Sequence, residues 1–364
     1  MPLKFIDLFS GCGGMSYGLE QAGLTCVLGI DNNKYAIDTF SKNHPNSTGV
    51  CGDIRKLNPK DIKIDLDIDK IDLICGGPPC QGFSTVGLGN PEDERNHLFL
   101  HFYRFVEYFR PRYIVIENVT GLVAKKNEDT LKAIYEVFRK IGYKLDIRIL
   151  KASDYDVPQD RKRTIILGNN LSLKNNFPER SSSKGLNTVD FALKNSINFN
   201  GRTLNNDVVS SFPRKDIDKK RISHIPEGRS IRYEKDELEF LPENLRFNID
   251  WGILPEKRFR EAKYRRLDRK KPSPTIVTHK NTLYHPTENR HLTIREAAAM
   301  QSFPANFEFL GSNTSQWTQV GNAVPPLLAK SIGEAILKTD SEMIKEEEDV
   351  FDFNTLRSTA FKYA

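Results

Sequence analysis

A single thiol stands in the segment Gly76–Ser84, whose sequence GGPPCQGFS combines chain-stiffening prolines with permissive glycines. The apolar run Ile71–Cys75 before it predicts a buried strand, so Cys80 should lie on a loop at the carboxyl end of that strand. Pro78 and Pro79 restrict φ, and the glycines on either side allow a ligand to approach closely. Ligands bind at this edge of an open α/β sheet. Cys80 is therefore a candidate nucleophile.

A carboxylate and a group of cations stand at comparable places further along the chain. Tyr113–Val119 (YIVIENV) places Glu117 at the carboxyl end of another apolar strand, and Pro158–Arg163 (PQDRKR) is a basic turn before a further strand. Such groups can donate protons and neutralise charge at a reaction centre. The structural alternatives are a small buried cysteine, a glutamate in a cap or ion pair, and arginines that simply face solvent.

Phe9–Gly14 (FSGCGG) joins the first predicted strand to the first helix, and its glycines let the backbone pass close to a ligand at the helix N-terminus. Ser16 replaces the third glycine of the dinucleotide fingerprint, which favours a cofactor without a pyrophosphate. Asp31 lies about twenty residues on, where it can accept hydrogen bonds from two ribose hydroxyls. Asp53 could accept one from the exocyclic amine of adenine. A tight turn and two helix caps are the alternative, but the order of these residues points to S-adenosylmethionine.

These groups require an α/β framework, and the apolar pattern supplies one up to residue 170. Short continuous apolar strands alternate with amphipathic helices, which is typical of a doubly wound, Rossmann-like α/β domain. The predicted strands are Lys4–Phe9, Thr25–Ile30, Ile71–Cys75, Tyr113–Glu117, Lys144–Leu150 and Arg163–Gly168, and the predicted helices are Met15–Ala22, Lys34–Asn43, Asn96–Phe109 and Asp129–Ile141.

The composition changes near Leu171, where Asn, Ser and Lys dominate and the alternation ends. We expect residues 171–275 to form a second, smaller domain, because a structureless segment of that length would be unusual inside a compact domain. Residues 276–338 should return to the first domain, with a capping box at Thr293 and Glu296. A last helix at about Pro325–Leu337, opened by Gln319–Pro326, should pack back on that domain. Residues 339–364 are an acidic tail that we expect to be mobile or a solvated helix.

Composition excludes several classes of protein. The chain has 364 residues, 38% hydrophobic and 28% charged, with no apolar run of membrane-spanning length and no evident signal peptide, so a cytoplasmic location is expected. Five cysteines in the first quarter, without a Cys-x-x-Cys pair, argue against a disulfide scaffold and structural zinc. The net charge of +6 permits a polyanionic partner. Arg214–Lys271 is rich in Arg, Lys and aromatic residues, which fits either a phosphate-contacting surface or a plain solvated one.

Six segments, in order along the chain, resemble those of the bacterial-type cytosine-C5 DNA methyltransferases of restriction–modification systems. The resemblance covers residues 4–168 and 285–337, and its most specific parts are the Pro-Pro-Cys and Glu-Asn-Val pieces. The matching segments are Asp7–Gly14, Gly76–Ser84, Glu117–Val119, Gln159–Arg163, Arg295–Glu296 with Gln301–Pro304, and Gly321–Asn322.

The resemblance implies a covalent mechanism. Cytosine C5 is a poor nucleophile, and addition of the Cys80 thiolate to C6 turns the ring into an enamine that can take a methyl group. Glu117 would donate a proton or a strong hydrogen bond at N3. Arg163 would hold the O2 edge and Arg161 would orient Glu117 or the nucleophile loop, but which arginine has which role stays open. The target base must leave the duplex stack to reach these groups.

The same resemblance implies contacts to the cofactor and to duplex DNA. Residues 171–275 would read the DNA, and Gln81 and Ser84 would belong to a loop that closes over the flipped base. The residues implied to bind the cofactor are Phe9, Gly11, Gly13, Asp31, Asn32, Asp53, Ile54, Pro79, Leu98, Asn322 and Ala323. The candidate DNA-contacting arginines, for base edges or for phosphate, are Arg229, Arg232, Arg258 and Arg265, from a larger pool with Arg246, Arg260 and Arg266.

Two other functions compete with this one. A tRNA cytosine-5 methyltransferase would share the fold, but the Gly-Phe-Ser that follows the Cys80 motif resembles the DNA enzymes, and the middle segment lacks Cys-Phe-Thr. A catalytically inactive DNA-binding paralogue would have lost groups that are all present here. The sequence therefore predicts a DNA (cytosine-5-)-methyltransferase that uses S-adenosylmethionine on double-stranded DNA. We expect no metal, a monomer, and a companion restriction endonuclease.

Overall fold

The computed structural model describes residues 2–66, 68–79, 97–181, 183, 185–259, 264–279, 283–345 and 352–362. Cys80, Gln81 and Ser84 lie outside the described residues. Contacts between residues divide the chain into two compact units. The first unit contains Met1–Tyr155, Arg161–Ser181 and Ala323–Ala364, and the second contains Asp156–Asp160 and Ser182–Asn322.

Short apolar strands build the centre of the first unit. They are β1 Lys4–Leu8, β2 Thr25–Asp31, β3 Thr48–Cys51, β4 Leu73–Gly76, β5 Tyr113–Asn118, β6 Lys144–Lys151 and β8 Lys162–Asn169, while the two-residue strand β7 Gln159–Asp160 belongs to the second unit. In the described part of the chain the sheet order is β3-β2-β1-β4-β5-β8-β6, with β8 antiparallel to both of its neighbours. The order changes direction between β1 and β4, which is where α/β sheets bind ligands.

Helices pack on this sheet and enclose one apolar core. Those of the first unit are α1 Gly14–Gln21, α2 Lys34–Asn43, α3 Pro59–Asp65, α4 His97–Phe109, α5 Glu128–Lys140, α11 Pro326–Glu342 and α12 Phe353–Lys362. The alternation confirms the predicted doubly wound, Rossmann-like α/β fold. Strand β3 and helix α3 were absent from the prediction because both are short, although Asn58 before Pro59 is a helix-start signal. None of the described helices combines the length and apolarity that a membrane crossing requires.

The chain after residue 318 agrees with the prediction in part. The last helix predicted at about Pro325–Leu337 is confirmed as α11, which begins at Pro326. Gln319–Asn322 belong instead to the separate helix α10, because the prolines at 325 and 326 lack the N–H groups that a continuing helix needs. In the described part of the tail, α12 packs on β6 and is not the fully solvated helix that was one of the two expectations. Phe353 and Ala360 are buried there, which covers part of a sheet edge.

The second unit is built from short elements. They are α6 Val189–Asn195, α7 Asp216–Ser223, α8 Glu234–Phe240, α9 Ile294–Met300, α10 Asn313–Asn322, β9 Arg265–Arg266, β10 Ser273–Pro274 and β11 Leu283–Tyr284, together with β7. Its boundaries fall at residues 182 and 323 rather than at 171 and 276. The reason is that β11 pairs with β9 and α9 packs against α6 and α10, which ties residues 283–322 to this unit.

Candidate active site

The loop between β1 and α1 has an unusual backbone. Phe9, Gly11 and Gly13 have φ values of 63°, 55° and 92°, and the N–H of Ser10 donates to the carbonyl oxygen of Ile30 at 2.9 Å. A Cβ added to Gly11 would meet no atom within 4 Å. The loop therefore leaves open space over its backbone at the carboxyl edge of the sheet, which suits a ligand that lies close to the main chain.

Asp31 joins the end of β2 to this loop. Its Oδ2 accepts the N–H of Gly11 at 3.0 Å and its Oδ1 accepts the N–H of Asn33 at 2.8 Å. Burial raises the pKa of Asp31, while these N–H groups oppose the rise. The carboxylate is thus oriented by backbone on one side, and its remaining lone pairs can accept hydroxyl donors.

Asp53 lies in the turn after β3 and is held by its neighbour Arg55. The Arg55 Nε donates to Oδ1 and Oδ2 of Asp53 at 3.0 and 2.9 Å, and the Arg55 backbone N–H donates to Oδ1 at 3.0 Å. These hydrogen bonds lower the pKa of Asp53 to about 2. Asp53 is therefore an ionised acceptor at neutral pH. The next residue, Ile54, is buried in the core, and Asn32 is exposed at the end of β2.

Ser16 has a structural use that the glycine fingerprint did not suggest. Its hydroxyl donates to Oδ2 of Asp7 at 2.6 Å beneath the loop. Burial raises the pKa of Asp7 to about 7. On the other side, a Cβ on Gly13 would collide with His44 and Phe40, and His44 Nδ1 lies 2.6 Å from Glu20 Oε2. A buried polar cluster therefore supports the loop from below, and Gly13 is required by close approach.

Glu117 and Arg163 form an ion pair at the end of β5. Arg163 Nε lies 2.8 Å from Glu117 Oε1, and the side chains are 17% and 13% exposed. The other carboxylate oxygen, Oε2, would lie 3.1 Å from a Cβ on Gly77. Because Gly77 directly follows β4, the pair lies beside the segment that leads to Cys80. Some exposure of both groups leaves them accessible to a substrate.

Asn118, the last residue of β5, holds that segment in place. Its Nδ2 donates to the carbonyl oxygen of Pro78 at 2.8 Å, and its Oδ1 accepts the N–H of Val119 at 3.0 Å. Pro78 is buried and Pro79 exposed, so the chain reaches the surface just before Cys80. Asn118 was part of the Glu-Asn-Val motif but was given no role in the sequence analysis.

Arg161 is more deeply buried in the protein than Arg163. It is 2% exposed, and burial, followed by repulsion from Arg163, lowers its pKa to about 9, with Glu117 opposing that decrease. The sequence left the roles of these arginines open. In the structure Arg163 pairs with Glu117, whereas Arg161 is buried.

Of the cysteines in the described part of the chain, three are buried and one is exposed at the end of β3. Cys12, Cys26 and Cys75 are buried, and burial raises the pKa of all three thiols, that of Cys12 to about 12. A thiol with so high a pKa supplies little thiolate at neutral pH. Cys51 is exposed at the end of β3.

Several motif residues of the second unit have structural contacts. Gln159 Nε2 donates to Gln301 Oε1 at 2.9 Å, and Gln301 in turn donates to the carbonyl oxygen of Val320. Arg295 is fully buried and donates to the carbonyl oxygens of Leu204 and Pro304 at 3.0 and 2.9 Å. These residues tie together distant segments of their own unit.

The arginines of residues 171–275 fall into two groups. Arg266 is buried and donates to the carbonyl oxygens of Ile225, Ile222 and His285, so it is a core residue and not a DNA contact. The four candidate DNA-contacting arginines lie at or near the surface: Arg229 beside Glu239, Arg232 bonded to the carbonyl oxygen of Phe259, Arg258 beside Glu256, and Arg265 exposed on β9.

The aromatic residues of this region are packed with one another. Trp251 and Phe259 have ring centroids 5.0 Å apart, and those of Phe247 and Tyr264 are 4.9 Å apart. Glu237, which is 3% exposed, accepts the indole N–H of Trp251 at 2.7 Å and the backbone N–H of Phe247. Trp251 is therefore a core residue, and the expectation that these aromatics interleave with cations on a surface is wrong for Trp251.

Three further candidate cofactor residues lie at the ends of helices or between the two units' segments of chain. Leu98, in the first turn of α4, packs partly buried against the core of the first unit. Asn322 is exposed at the end of α10 in the second unit, and Ala323 is the first residue of the returning part of the first unit.

Comparison with known proteins agrees with this arrangement. A family model described as C-5 cytosine-specific DNA methylase matches residues 3–338. The chain belongs to the C-5 cytosine-specific DNA methylases. This methylase is 36% identical to Type II methyltransferase M1.HphI of Haemophilus parahaemolyticus, over 94% of the chain and 88% of the relative. It is 34% identical to Type II methyltransferase M.DdeI of Desulfomicrobium norvegicum, over 92% and 88% of the two chains.

A solved structure extends the comparison to the whole methylase. A prophage-encoded E. coli protein, assigned as a DNA modification methyltransferase, superimposes with a TM-score of 0.70 at 26% identity, covering 93% of the methylase and 99% of that chain. These relatives confirm that the methylase is a C5 cytosine DNA methyltransferase of the restriction–modification type.

Proposed function

We propose that this methylase transfers a methyl group from S-adenosylmethionine to C5 of a flipped cytosine in a short, specific duplex sequence, through a covalent bond between Cys80 and C6. The observation that carries the proposal is the Glu117–Arg163 ion pair beside Gly77. It supplies a hydrogen-bonding carboxyl and a fixed cation next to the segment that carries the predicted nucleophile.

The cofactor pocket is proposed at the edge formed by β1, β2 and β3. The open backbone of Gly11 and the oriented carboxylate of Asp31 fit a ribose, and the ionised Asp53 fits an amine donor on adenine. S-adenosylmethionine, when bound, supplies an electrophilic methyl group. Phe9, Gly13, Asn32, Ile54, Pro79, Leu98, Asn322 and Ala323 complete the proposed set.

The chemistry then follows from the side chains. The Cys80 thiolate forms a bond to C6, and the electron pair of the C5–C6 double bond makes C5 nucleophilic. Glu117 stabilises the charge at N3 by donating a proton or hydrogen bond, and Arg163 holds Glu117 in place while facing the O2 edge. After C5 has been methylated, its proton passes to a water molecule. The C5–H electron pair re-forms the C5–C6 double bond, and the S–C6 bond breaks to release Cys80 as a thiolate.

Recognition of DNA is proposed for the second unit. Arg229, Arg232, Arg258 and Arg265 are the side chains proposed to contact base edges or phosphates there. Gln81 and Ser84 are proposed to contact the DNA around the flipped base. Flipping costs a few kcal/mol, which protein contacts have to offset.

The first experiment is expression in a methylation-free bacterial host, followed by base-resolution sequencing of 5-methylcytosine in genomic DNA. We expect dense methylation within one short motif. That motif is then synthesised with 5-fluorocytosine at the target, because fluorine cannot leave C5 as a proton does and the adduct with the enzyme persists.

Wild-type protein with S-adenosylmethionine should form a denaturation-resistant complex with this duplex. Cys80→Ser should form none, while its affinity for S-adenosylhomocysteine stays close to the wild-type value. A stable complex formed by Cys80→Ser would refute the assignment of Cys80. An unmethylated genome together with modified tRNA would refute DNA as the substrate.

A further inference from the structure

Arg104 makes a long-range contact that the mechanism above does not use. It lies on α4, and its Nη2 donates to the carbonyl oxygen of Ile54 at 2.8 Å and to that of Leu57 at 2.6 Å. The backbone N–H of Lys56 donates to the carbonyl oxygen of Asp53 at 2.9 Å within the same turn. One guanidinium therefore joins two carbonyls of the Asp53–Leu57 turn to a helix that lies far along the chain.

This contact keeps a cation in a costly environment. Burial lowers the pKa of Arg104, which shows that its charge is partly desolvated. The acceptors at Nη2 are neutral carbonyls, whereas an ion pair would return more electrostatic energy. A requirement for packing alone would be met by a hydrophobic side chain. The charge is better explained by the need to hold this turn in one position.

The two elements that Arg104 connects both belong to the proposed cofactor site. The turn carries Asp53 and Ile54 at the adenine end, and the first turn of α4 carries Leu98. Arg104 itself is not among the proposed cofactor contacts. A shift of the turn relative to α4 would move the Asp53 carboxylate away from its partner without altering its chemistry.

We propose that Arg104 is a positioning residue for the adenine end of S-adenosylmethionine. The inference rests on the proposed function and extends it to a side chain that acts through the Asp53–Leu57 turn. The single Nη2 of Arg104 donates to both carbonyl oxygens. A lysine ammonium also carries several N–H donors, but it is a compact group on a differently shaped stem and would not reach the same position. Lysine should therefore restore the function only in part.

The test measures binding of S-adenosylhomocysteine by calorimetry, together with steady-state kinetics of the full-length protein, for Arg104→Gln and Arg104→Lys. We expect the dissociation constant to rise about tenfold for Arg104→Gln, as for the loss of one or two charge-assisted hydrogen bonds. Arg104→Lys should lie between that variant and the wild type. The kcat at saturating cofactor and the KM for DNA should stay near their wild-type values.

Arg110 supplies a matched control. It follows α4 directly, and its Nη1 donates to the carbonyl oxygen of Ile141 at 2.8 Å, so it makes the same kind of contact away from the cofactor turn. Arg110→Gln should lower the melting temperature but leave the affinity for S-adenosylhomocysteine unchanged.

Three results would overturn the inference. Both Arg104 variants could bind S-adenosylhomocysteine like the wild type, Arg110→Gln could weaken binding as much as Arg104→Gln, or kcat at saturation could fall with unchanged affinity. Wild-type protein that binds neither S-adenosylmethionine nor S-adenosylhomocysteine would instead contradict the proposed function itself. Measuring the wild type first separates these two failures.

Discussion

The side-chain amide of Asn118 donates to the carbonyl oxygen of Pro78 across 2.8 Å. This bond joins the end of β5 to the segment that leaves β4, two residues before Cys80. Because β4 and β5 are paired neighbours, the bond fixes Pro78, which lies two residues before the proposed nucleophile, to the edge of the sheet. Asn118, which follows Glu117 on β5, thus fixes the position of the chain where it leaves β4.

Asn118→Ala should lower kcat more than it lowers stability. Loss of the donor removes a buried hydrogen bond to the Pro78 carbonyl, a contribution of about 0.5–1.5 kcal/mol. We expect kcat to fall at least about tenfold, the equivalent of about 1.4 kcal/mol, with an unchanged affinity for S-adenosylhomocysteine. Asn127→Ala is the control, because Asn127 Nδ2 makes a similar bond to the carbonyl oxygen of Gly121 at 2.7 Å. An equal loss of kcat in both variants would contradict a specific role for Asn118.

The two arginines beside Glu117 should respond differently to substitution by lysine. Arg163→Lys removes a charge-assisted hydrogen bond worth about 1.5–3 kcal/mol, so kcat should fall tenfold or more, while the melting temperature changes little. Arg161→Lys changes a side chain that is 2% exposed, so the melting temperature should fall. Parallel measurement of methyl transfer and thermal unfolding distinguishes them. Unimpaired turnover of Arg163→Lys would remove the basis for pairing it with Glu117 in the reaction.

Asp7 should make the stability of the protein depend on pH. Burial raises its pKa to about 7, well above the ordinary carboxyl value. Between the ordinary carboxyl pKa and the raised value, the folded state keeps a proton that the unfolded state has released. The contribution of this proton to the stability of the fold is therefore fully present below the ordinary pKa. It should decline as the pH rises from about 4 toward 7. Asp7→Asn should flatten the pH dependence of the urea midpoint between pH 5 and 7.

Asp72 should make the stability of the protein depend on pH in the direction opposite to that of Asp7. Burial raises its pKa, but the N–H of Lys4 and the Arg112 guanidinium outweigh burial and lower the pKa overall. Its contribution is present above the ordinary carboxyl pKa and is lost as the pH falls through the lowered value. Asp72→Asn should therefore destabilise the protein at neutral pH.

A pH profile of Asp7→Asn that parallels the wild type would show that Asp7 is not the titrating group.

Glu237 should determine the integrity of the second unit. Glu237→Gln replaces one of its carboxylate oxygens, which accept the Trp251 and Phe247 N–H groups, by an NH₂ donor. We expect a red-shifted tryptophan emission and weaker DNA binding, with unchanged affinity for S-adenosylhomocysteine. Glu243→Gln is the control, because Glu243 is an exposed carboxylate of the same unit. Normal DNA binding by Glu237→Gln would separate the aromatic cluster from recognition.

Much of the fold and of the reaction could be predicted from local patterns. Apolar strands followed by glycine, proline or a carboxylate identified the ends of β1, β4 and β5, because parallel strands end at one edge of a sheet. Cys80 and Glu117 could therefore be predicted to lie at the same edge. The structure places Glu117 at the end of β5, and the placement of Cys80 stays a prediction. The family was recognisable because its motifs are short and contiguous.

Contacts between residues distant in sequence could not be predicted in this way. Arg161 and Arg163 are the same residue type and lie two residues apart in the sequence. Only the folded chain shows that Arg161 is buried and that Arg163 pairs with Glu117. The aromatics near Trp251 looked like part of a cationic surface, yet Glu237 and the packed rings place Trp251 in a core. Arg104 and Ile54 are joined across the fold. Such pairs depend on how elements pack, which hydrophobic periodicity within one element does not encode.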